Sequence, residues 1–141
     1  MIDPLMAIQV TLNIPTHNVA DFSAIYVQIP SAEGSMGILK NHAPLRCELI
    51  PGTVICRLPD QSLKVFFVSS GLAMVQSNTV TILADTAELA DEIDLTRAEA
   101  ARNRALGRLC EGTMHIDRAR AEAALHRSLA RLEAVRYLKT H

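Results

Sequence analysis

The chain has 141 residues, of which 49% are hydrophobic, 21% are charged and only 4% are aromatic, and its formal net charge is −1. This length suits one domain or two small ones, and the apolar fraction is enough for a packed aliphatic core, which excludes general disorder. A net charge near zero excludes a general attraction to nucleic acids or membrane surfaces. The sequence has no apolar run of the ~18 residues that a membrane-spanning helix needs, and its start lacks the basic and apolar regions of a signal peptide.

Charge is distributed unevenly along the chain. Residues 93–141 carry ten basic and six acidic side chains, a balance of +4, whereas residues 1–92 carry four basic and nine acidic ones, a balance of −5. This asymmetry predicts two modules, of which the second suits an acidic or phosphorylated partner.

Residues 7–84 have the pattern of short strands joined by tight turns. In AIQVTLNI and FSAIYVQI the apolar residues alternate with polar or small ones, which is the period of a strand with one buried face. The segments LRCELI and TVICRL flank Pro51-Gly52 and are typical of a β-hairpin, and Ser77-Asn78 marks a later turn. The pattern predicts an antiparallel β-sandwich, or flattened barrel, over residues 1–86.

The three cysteines are an odd number, which favours a reducing compartment. A two-residue loop at Pro51-Gly52 would place Cys47 opposite Cys56. Two buried thiols are the favoured interpretation, and a disulfide or ligand pair is the alternative that the sequence leaves open.

After Ala84 the sequence changes character. The acidic stretch over residues 87–92 predicts a linker, and residues 93–141 predict an antiparallel hairpin of two helices, so the fold class is α+β. We expect the first helix to run from about Asp94 to Glu111 and to be stopped by Gly112 in the C′ position. We expect the second to run from about Asp117 to Leu138, with Asp94 and Asp117 as N-caps.

The hairpin is rich in small side chains, with ten alanines between Ala98 and Ala134. Alanine lets helices approach closely but buries little apolar area per residue, so a hairpin of this size is marginal on its own. Such a hairpin must pack against another surface for stability. Because it can pack against more than one surface, the sequence indicates a movable element. Its predicted helix–helix seam recurs at three and four residues and consists of Ala121, Leu125, Ser128, Leu132 and Val135.

Candidate catalytic groups are scattered. The five histidines form no metal-ligand spacing, and no nucleophile, phosphate-loop or dinucleotide motif occurs, so we expect neither catalysis nor a bound metal. His42 alone favours a hydrogen-bonded loop residue. Three rival classes are a basic helical-hairpin adaptor that binds nucleic acid or protein, a small β-sandwich enzyme, and a coiled-coil adaptor. The first lacks interleaved aromatic residues, the second lacks a convergent catalytic set, and the third lacks long helices.

Several stretches, in order and covering nearly the whole chain, resemble the epsilon subunits of bacterial rotary (F-type) ATP synthases. One is Glu33-Gly34-Ser35-Met36-Gly37-Ile38-Leu39 followed by Asn41-His42-Ala43-Pro44-Leu45, which is similar to the family pattern E-G-x-x-G-I-L-x-x-H-A-P-L. The others are Ile50-Pro51-Gly52, Phe67 to Gly71, Val80 to Glu88, and the I-D-x-x-R-A motif from Ile93 to Ala98.

The resemblance implies a non-catalytic subunit at the foot of the central stalk, bound to the gamma subunit and touching the ring of c subunits. It implies a peripheral position on the cytoplasmic face of the cell membrane, reached only through the complex, and no nucleic-acid partner. The loop from Glu33 to Ala43 would face the polar loops of the c ring, with Glu33, Met36 and His42 as contact residues. Whether the coupling ion is a proton or sodium is left open.

The resemblance also implies a regulatory switch. The hairpin would lie beside the sandwich or extend along gamma toward an acidic segment of the beta subunit, where it inhibits ATP hydrolysis. The basic residues assigned to this beta and gamma interface are Arg102, Arg108, Arg118 and Arg120. No cofactor is required, but ATP is a candidate regulatory ligand of the folded-down state.

By position in the family, the candidate nucleotide-binding residues are Asp94, Arg97, Arg127 and Arg131. Guanidinium groups bind phosphate oxygens through paired hydrogen bonds, and arginines four residues apart on a helix face the same way. The alternative is that Asp94 only caps its helix and that the arginines are only solvated.

Overall fold

The computed structural model describes residues 6–111 and 115–141, and in these residues the chain forms ten strands followed by two helices. The strands are β1 (Ile8–Ile14), β2 (His17–Ala24), β3 (Tyr26–Ser31), β4 (Gly34–Ile38), β5 (Leu45–Leu49), β6 (Gly52–Arg57), β7 (Leu63–Val68), β8 (Gly71–Gln76), β9 (Thr79–Ala84) and β10 (Ala87–Leu89). The helices are α1 (Leu95–Cys110) and α2 (His115–Thr140). This architecture confirms the predicted sandwich followed by a helical hairpin.

The strands form one continuous hydrogen-bonded sheet that folds over on itself into the sandwich. Its order is β10-β7-β6-β3-β5-β8-β9-β1-β2, and β4 pairs with β3 off this path. All pairs are antiparallel except β1 with β9, which is parallel, so the predicted antiparallel sandwich forms with one parallel pair within it. Ile8, Val10 and Leu12 of β1 are buried as their period predicts, and they join the sandwich core with Val27, Ile29, Phe66 and Ile82, whereas Ile14 at the end of the strand is only partly buried.

The hairpin predicted around Pro51-Gly52 does not form. Strand β5 pairs with β8, whereas β6 pairs with β7 and β3, so the chain leaves one part of the sheet and enters another at this point. An added Cβ on Gly52 would lie 2.6 Å from the Cβ of Pro30, so the close approach requires glycine. The local turn signal was correct, but the long-range pairing of the two strands decided where they go.

The cysteine pairing proposed through that hairpin is excluded by the same crossover. Cys47 lies opposite Ala73, Cys56 lies opposite Val27 and Lys64, and both thiols are free. Burial raises the pKa of the Cys56 thiol to about 12, so this thiol is neutral in the folded core.

Two further segments differ from their sequence patterns. The run FSAIYVQI, predicted as one strand, is divided between the end of β2 and the start of β3. The predicted linker over residues 87–92 is instead structured, because β10 pairs with β7 and a 3-10 turn follows at Ala90–Glu92. A strand of three residues is too short for a periodic pattern to reveal, so the acidic composition alone predicts a linker here.

Helix α1 begins where its capping residue predicts. The Asp94 side chain accepts a hydrogen bond from the backbone N–H of Arg97, which confirms the N-cap. Helix α2 starts at His115, so Asp117 lies inside the helix and the prediction that it is an N-cap was wrong. Gly112, the predicted C′ glycine, lies outside the described residues.

The two helices pack on each other, and the C-terminal half of α2 packs on the sandwich. Ala121, Ser128 and Val135 recur every seven residues on α2 and are buried, as are Ala98 and Ala105 on α1. A second face of α2 covers the outer side of β6 and β7. There Ala130 and Ala134 form a buried cluster with Ile55, Val65, Phe67 and Ala90, bordered by Leu63, Ile93, Tyr137 and Leu138.

The start of β8 provides a test of the sandwich packing. An added Cβ on Gly71 would lie 2.1 Å from the backbone oxygen of Leu83, on the neighbouring strand. We expect Gly71→Ala to lower the free energy of unfolding by about 2–3 kcal/mol, because the two strands must separate to admit the methyl group. Chemical denaturation measures this change.

Gly107 is the matched control, since an added Cβ there meets nothing within 4 Å. Gly107→Ala in α1 should raise stability by up to about 1 kcal/mol through helix propensity. Equal effects of the two substitutions would contradict this account of β8.

Candidate functional site: a charged cleft beneath the helical hairpin

A cleft of 520 Å³ lies where the sandwich, the start of α1 and the middle of α2 meet. Both charge signs line it, with three carboxylates from Glu88, Glu92 and Asp94 and three guanidinium groups. The remaining lining residues are Ile93, Arg97, Ala98, Ala101, Arg104 and Arg131. Three of the four predicted nucleotide-binding residues, Asp94, Arg97 and Arg131, are therefore brought together.

Asp94 both caps α1 and borders the cleft. Its Oδ1 atom accepts from the Arg97 N–H at 3.1 Å, while its backbone oxygen accepts from the Ala98 N–H at 3.0 Å. The carboxylate thus compensates the unpaired amides of the first helical turn. The capping interpretation is confirmed, and one carboxylate oxygen is committed to it.

Arg131 fastens α2 to the sandwich. Its Nε donates to Glu88 Oε1 at 2.7 Å, and its guanidinium carbon lies 4.4 Å from the centroid of the Phe67 ring. The side chains of Arg131 and Glu88 keep 27% and 39% of their exposure, so solvent still screens the pair. This one side chain therefore links α2, β7 and β10.

Arg97 and Arg104 supply the remaining positive charge of the cleft. Both are exposed, and within residues 6–111 and 115–141 neither guanidinium forms an ion pair. They lie seven residues apart, about two helical turns, so they share one face of α1. Arg104 is not among the predicted site residues, although its spacing from Arg97 is a usable signal.

Arg127 does not join the other three predicted residues. It lines a second cleft, of 490 Å³, with His126 and Ala123 of α2 and with the corner of the sandwich at Pro51, Ser69, Ser70, Asp85 and Thr86. The i, i+4 spacing predicts that Arg127 and Arg131 point the same way from α2. Because α2 crosses the sandwich, however, residues one helical turn apart meet different parts of the sandwich. The predicted set of four is thus divided between two clefts.

Glu88 and Phe67 are contacts that the sequence analysis did not single out. A signal for Phe67 existed, because the runs TVICRL and KVFFVSS are nearly continuous in apolar residues, as expected of strands covered on both faces. Ile55, Val65 and Phe67 point to the helix side, whereas Cys56 and Phe66 belong to the sandwich core.

The residues predicted to contact the c ring follow strand β4. Glu33 is exposed in the turn before this strand, Met36 is half-buried within it, and His42 lies after the next turn. The predicted loop from Glu33 to Ala43 is therefore a strand with a turn at each end. Five strand residues span about 17 Å, so Glu33 and His42 lie at opposite ends of a line rather than in one cluster.

The basic residues assigned to the beta and gamma interface lie on the helices away from the sandwich contact. Arg118 pairs with Glu122 at 3.3 Å along α2, both half-exposed, and Arg102 Nε donates to Asn103 Oδ1 at 3.4 Å. Arg108 and Arg120 are exposed. Nothing described in the sandwich occupies these four guanidinium groups.

Two negative findings concern the part of the chain that the structure describes. Its His, Cys, Asp and Glu side chains form no group of three or more that could hold a metal ion. Neither described helix combines the length and apolar character that crossing a membrane requires.

A β-sandwich that carries a two-helix hairpin on one outer face defines the class of this protein, and the sequence comparisons identify its family. Residues 7–90 match the family model of the ATP synthase delta/epsilon chain β-sandwich domain, and residues 91–136 match that of its long α-helix domain. The chain is 42% identical to the ATP synthase epsilon chain of Lawsonia intracellularis over 67% of its own length and 71% of the relative. It is 44% identical to that of Pelotomaculum thermopropionicum over 70% and 73%. The chain therefore belongs to the family of ATP synthase epsilon chains, as its resemblance predicted.

Solved structures show the same fold at lower identity. One similar chain comes from the Euglena gracilis mitochondrial ATP synthase, resolved as OSCP/F1/c-ring, with a TM-score of 0.82, 24% identity, and coverage of 95% of this chain and 82% of that one. Another comes from the central stalk/c-ring of the Tetrahymena thermophila mitochondrial ATP synthase, with a TM-score of 0.60, 17% identity, and coverage of 90% and 95%.

The role of Arg131 can be tested in the isolated protein. We expect Arg131→Gln to loosen the hairpin, because the charge-assisted hydrogen bond and the cation–π contact are together worth about 1–2 kcal/mol. Amide hydrogen exchange should become about tenfold faster over residues 128–140 and 86–93, as measured by mass spectrometry.

Arg136→Gln, an exposed arginine on the same helix, is the control and should leave this exchange unchanged. If Arg131→Gln also left the exchange unchanged, Arg131 would not fasten the hairpin.

Proposed function

We propose that this chain is the central-stalk subunit that couples the gamma subunit to the c ring, and that its hairpin inhibits ATP hydrolysis from a second, extended position. The observation that carries the proposal is the helix side of the hairpin's contact with the sandwich, where the fully buried residues are two alanines and the one ion pair is partly exposed. Membership of the epsilon family and the c-ring assemblies named for the similar structures support it.

The helix contributes little apolar surface to the contact. Ala130 and Ala134 each bury one methyl group, worth about 0.8 kcal/mol, Tyr137 and Leu138 are only partly buried, and the strand side adds the burial of Ile55, Val65 and Phe67. The partly exposed Arg131 pair adds about 0–1 kcal/mol and the cation–π contact about 0.5–2 kcal/mol. A partner subunit that offers a few kcal/mol more to the extended hairpin can therefore move it.

The extended state would use the outward basic residues. Arg102, Arg108, Arg118 and Arg120 remain accessible in the docked hairpin, so a second partner can engage them without first breaking contacts to the sandwich. Each exposed pair contributes only about 0–1 kcal/mol, so an acidic segment of the beta subunit must engage several together.

The sandwich would provide the opposite attachment. On and beside β4, the exposed Glu33 and the partly exposed Met36 and His42 form a polar and apolar line suited to the polar loops of the c ring, and gamma would bind the sandwich body. Localisation at the cytoplasmic face of the cell membrane would follow from these partners.

ATP is the ligand that we assign to the 520 Å³ cleft. This volume lies within the usual ~300–1000 Å³ of small-molecule sites, and Arg97, Arg104 and Arg131 supply guanidinium groups for phosphate oxygens. A ligand that binds only the docked state stabilises that state by mass action, so ATP would hold the hairpin down.

Titration of ATP against the isolated chain tests this site. We expect saturable binding that is weakened about tenfold or more by Arg97→Gln, because charge-assisted hydrogen bonds are worth about 1.5–3 kcal/mol. Calorimetry or NMR measures the affinity, and Arg120→Gln is the control outside the cleft.

The division between the two clefts gives a sharper test. Arg127→Gln should weaken ATP binding much less than Arg97→Gln, since Arg127 lines the second cleft. Equal losses would contradict the assigned cleft, and no spectral change at millimolar ATP would remove the ATP claim.

The regulatory claim is tested in a reconstituted ATP synthase. The full chain should co-purify with gamma and inhibit ATP hydrolysis, and deletion of residues 93–141 should relieve the inhibition. Arg131→Gln should deepen the inhibition several-fold, because loosening the docked state favours the extended one, whereas Arg136→Gln should not. Equal hydrolysis rates with and without residues 93–141 would contradict the inhibitory role.

A further inference from the structure

Two turns lie side by side at one end of the sandwich. The first spans Leu39 to His42 and is closed by a hydrogen bond from the His42 N–H to the Leu39 oxygen at 3.2 Å. The second is the Ser77-Asn78 turn between β8 and β9, with φ angles of 51° and 59°. The His42 segment and the Ser77-Asn78 turn are both recognisable in the sequence, but nothing in the sequence indicates that they are connected.

A pair of asparagines joins the two turns. The backbone N–H of Asn41 donates to Asn78 Oδ1 at 2.7 Å, and Asn78 Nδ2 donates in return to Asn41 Oδ1 at 3.5 Å. The Asn78 backbone oxygen accepts from the Gln9 N–H at 2.9 Å, which ties this turn to the start of β1. The first turn is thereby attached to the sheet through a residue 37 positions away.

The pair holds the residue directly before His42. Asn41 has a φ of 66°, a left-handed conformation that asparagine tolerates better than most residues but that still needs support. Beyond it, His42 Nδ1 donates to the Ala43 oxygen at 2.7 Å, which orients the ring and leaves Nε2 as its other polar atom. A fixed Asn41 therefore gives the imidazole a fixed direction before any partner arrives, which lowers the entropic cost of binding.

We propose that Asn78 is a positioning residue for His42, which it presents to the c ring in a preformed geometry. The inference rests on the stalk contact proposed above for His42. Asn78 must meet two requirements: a left-handed backbone, which glycine also adopts, and a side-chain oxygen that accepts the Asn41 N–H, which glycine lacks. Aspartate meets both, since it tolerates left-handed conformations and its carboxylate can replace the carboxamide oxygen.

Four variants of the full chain separate these requirements. Asn78→Gly keeps the turn and removes the side-chain hydrogen bonds between Asn78 and Asn41, whereas Asn78→Asp restores the acceptor. Ser77→Gly alters the same turn without changing these hydrogen bonds. His42→Ala removes the proposed contact with the c ring. In the isolated chain, Asn78→Gly should speed hydrogen exchange of the Asn41 amide about three- to tenfold, the effect of losing one hydrogen bond. Asn78→Asp should restore slow exchange, and Ser77→Gly should leave it unchanged.

The functional arm measures the affinity of each variant for an ATP synthase complex stripped of this subunit. His42→Ala should weaken binding several-fold, and Asn78→Gly should weaken it by a comparable or smaller factor. In the His42→Ala background, Asn78→Gly should cause no further loss, because it acts through the imidazole.

The outcomes distinguish the two claims. If His42→Ala binds as tightly as the unaltered chain, the stalk contact of His42 is overturned, and the positioning role falls with it. If His42→Ala weakens binding but Asn78→Gly does not, or if the two losses add, the stalk contact stands and the positioning role is overturned.

Discussion

The outer face of β6 and β7 is apolar, and the arrangement of the helical hairpin follows from the covering of that face. Ile55, Val65 and Phe67 lie on the side opposite the sandwich core, where water would otherwise meet them. The C-terminal half of α2 covers them with Ala130 and Ala134, and α1 is then held through its packing on α2. Small alanine side chains let the helix lie close to the sheet, but they limit the energy of the contact.

The way α2 crosses the sheet also brings charged groups together. Because α2 crosses β7 near Phe67, Arg131 reaches the Glu88 carboxylate on β10 and completes a cleft with the first turn of α1. The walls of this cleft come from both domains, so under the proposed switch it would exist only while the hairpin is docked. In that scheme a ligand bound in the cleft would stabilise the docked position by mass action.

Local patterns predicted the elements well where the pattern was long. The strand period of Ile8, Val10 and Leu12 and the cap of α1 at Asp94 are confirmed, because each depends on neighbours a few residues away. The predictions failed where the decisive contact was distant. Pro51-Gly52 turns the chain as expected, but β5 and β6 have different partners, and the three residues of β10 carry too little pattern to be recognised.

The same contrast between local pattern and distant contact applies to the residues of the candidate site. The composition of the hairpin, the I-D-x-x-R-A start of α1 and the family resemblance follow from the order of residues alone. The fold is needed to see that Arg131 pairs with Glu88, whereas Arg127, one turn away, lines a different cleft with Asp85 and Ser70. The reason is physical: a helix fixes the spacing of its own side chains, but the angle at which it crosses the sheet fixes which groups those side chains meet.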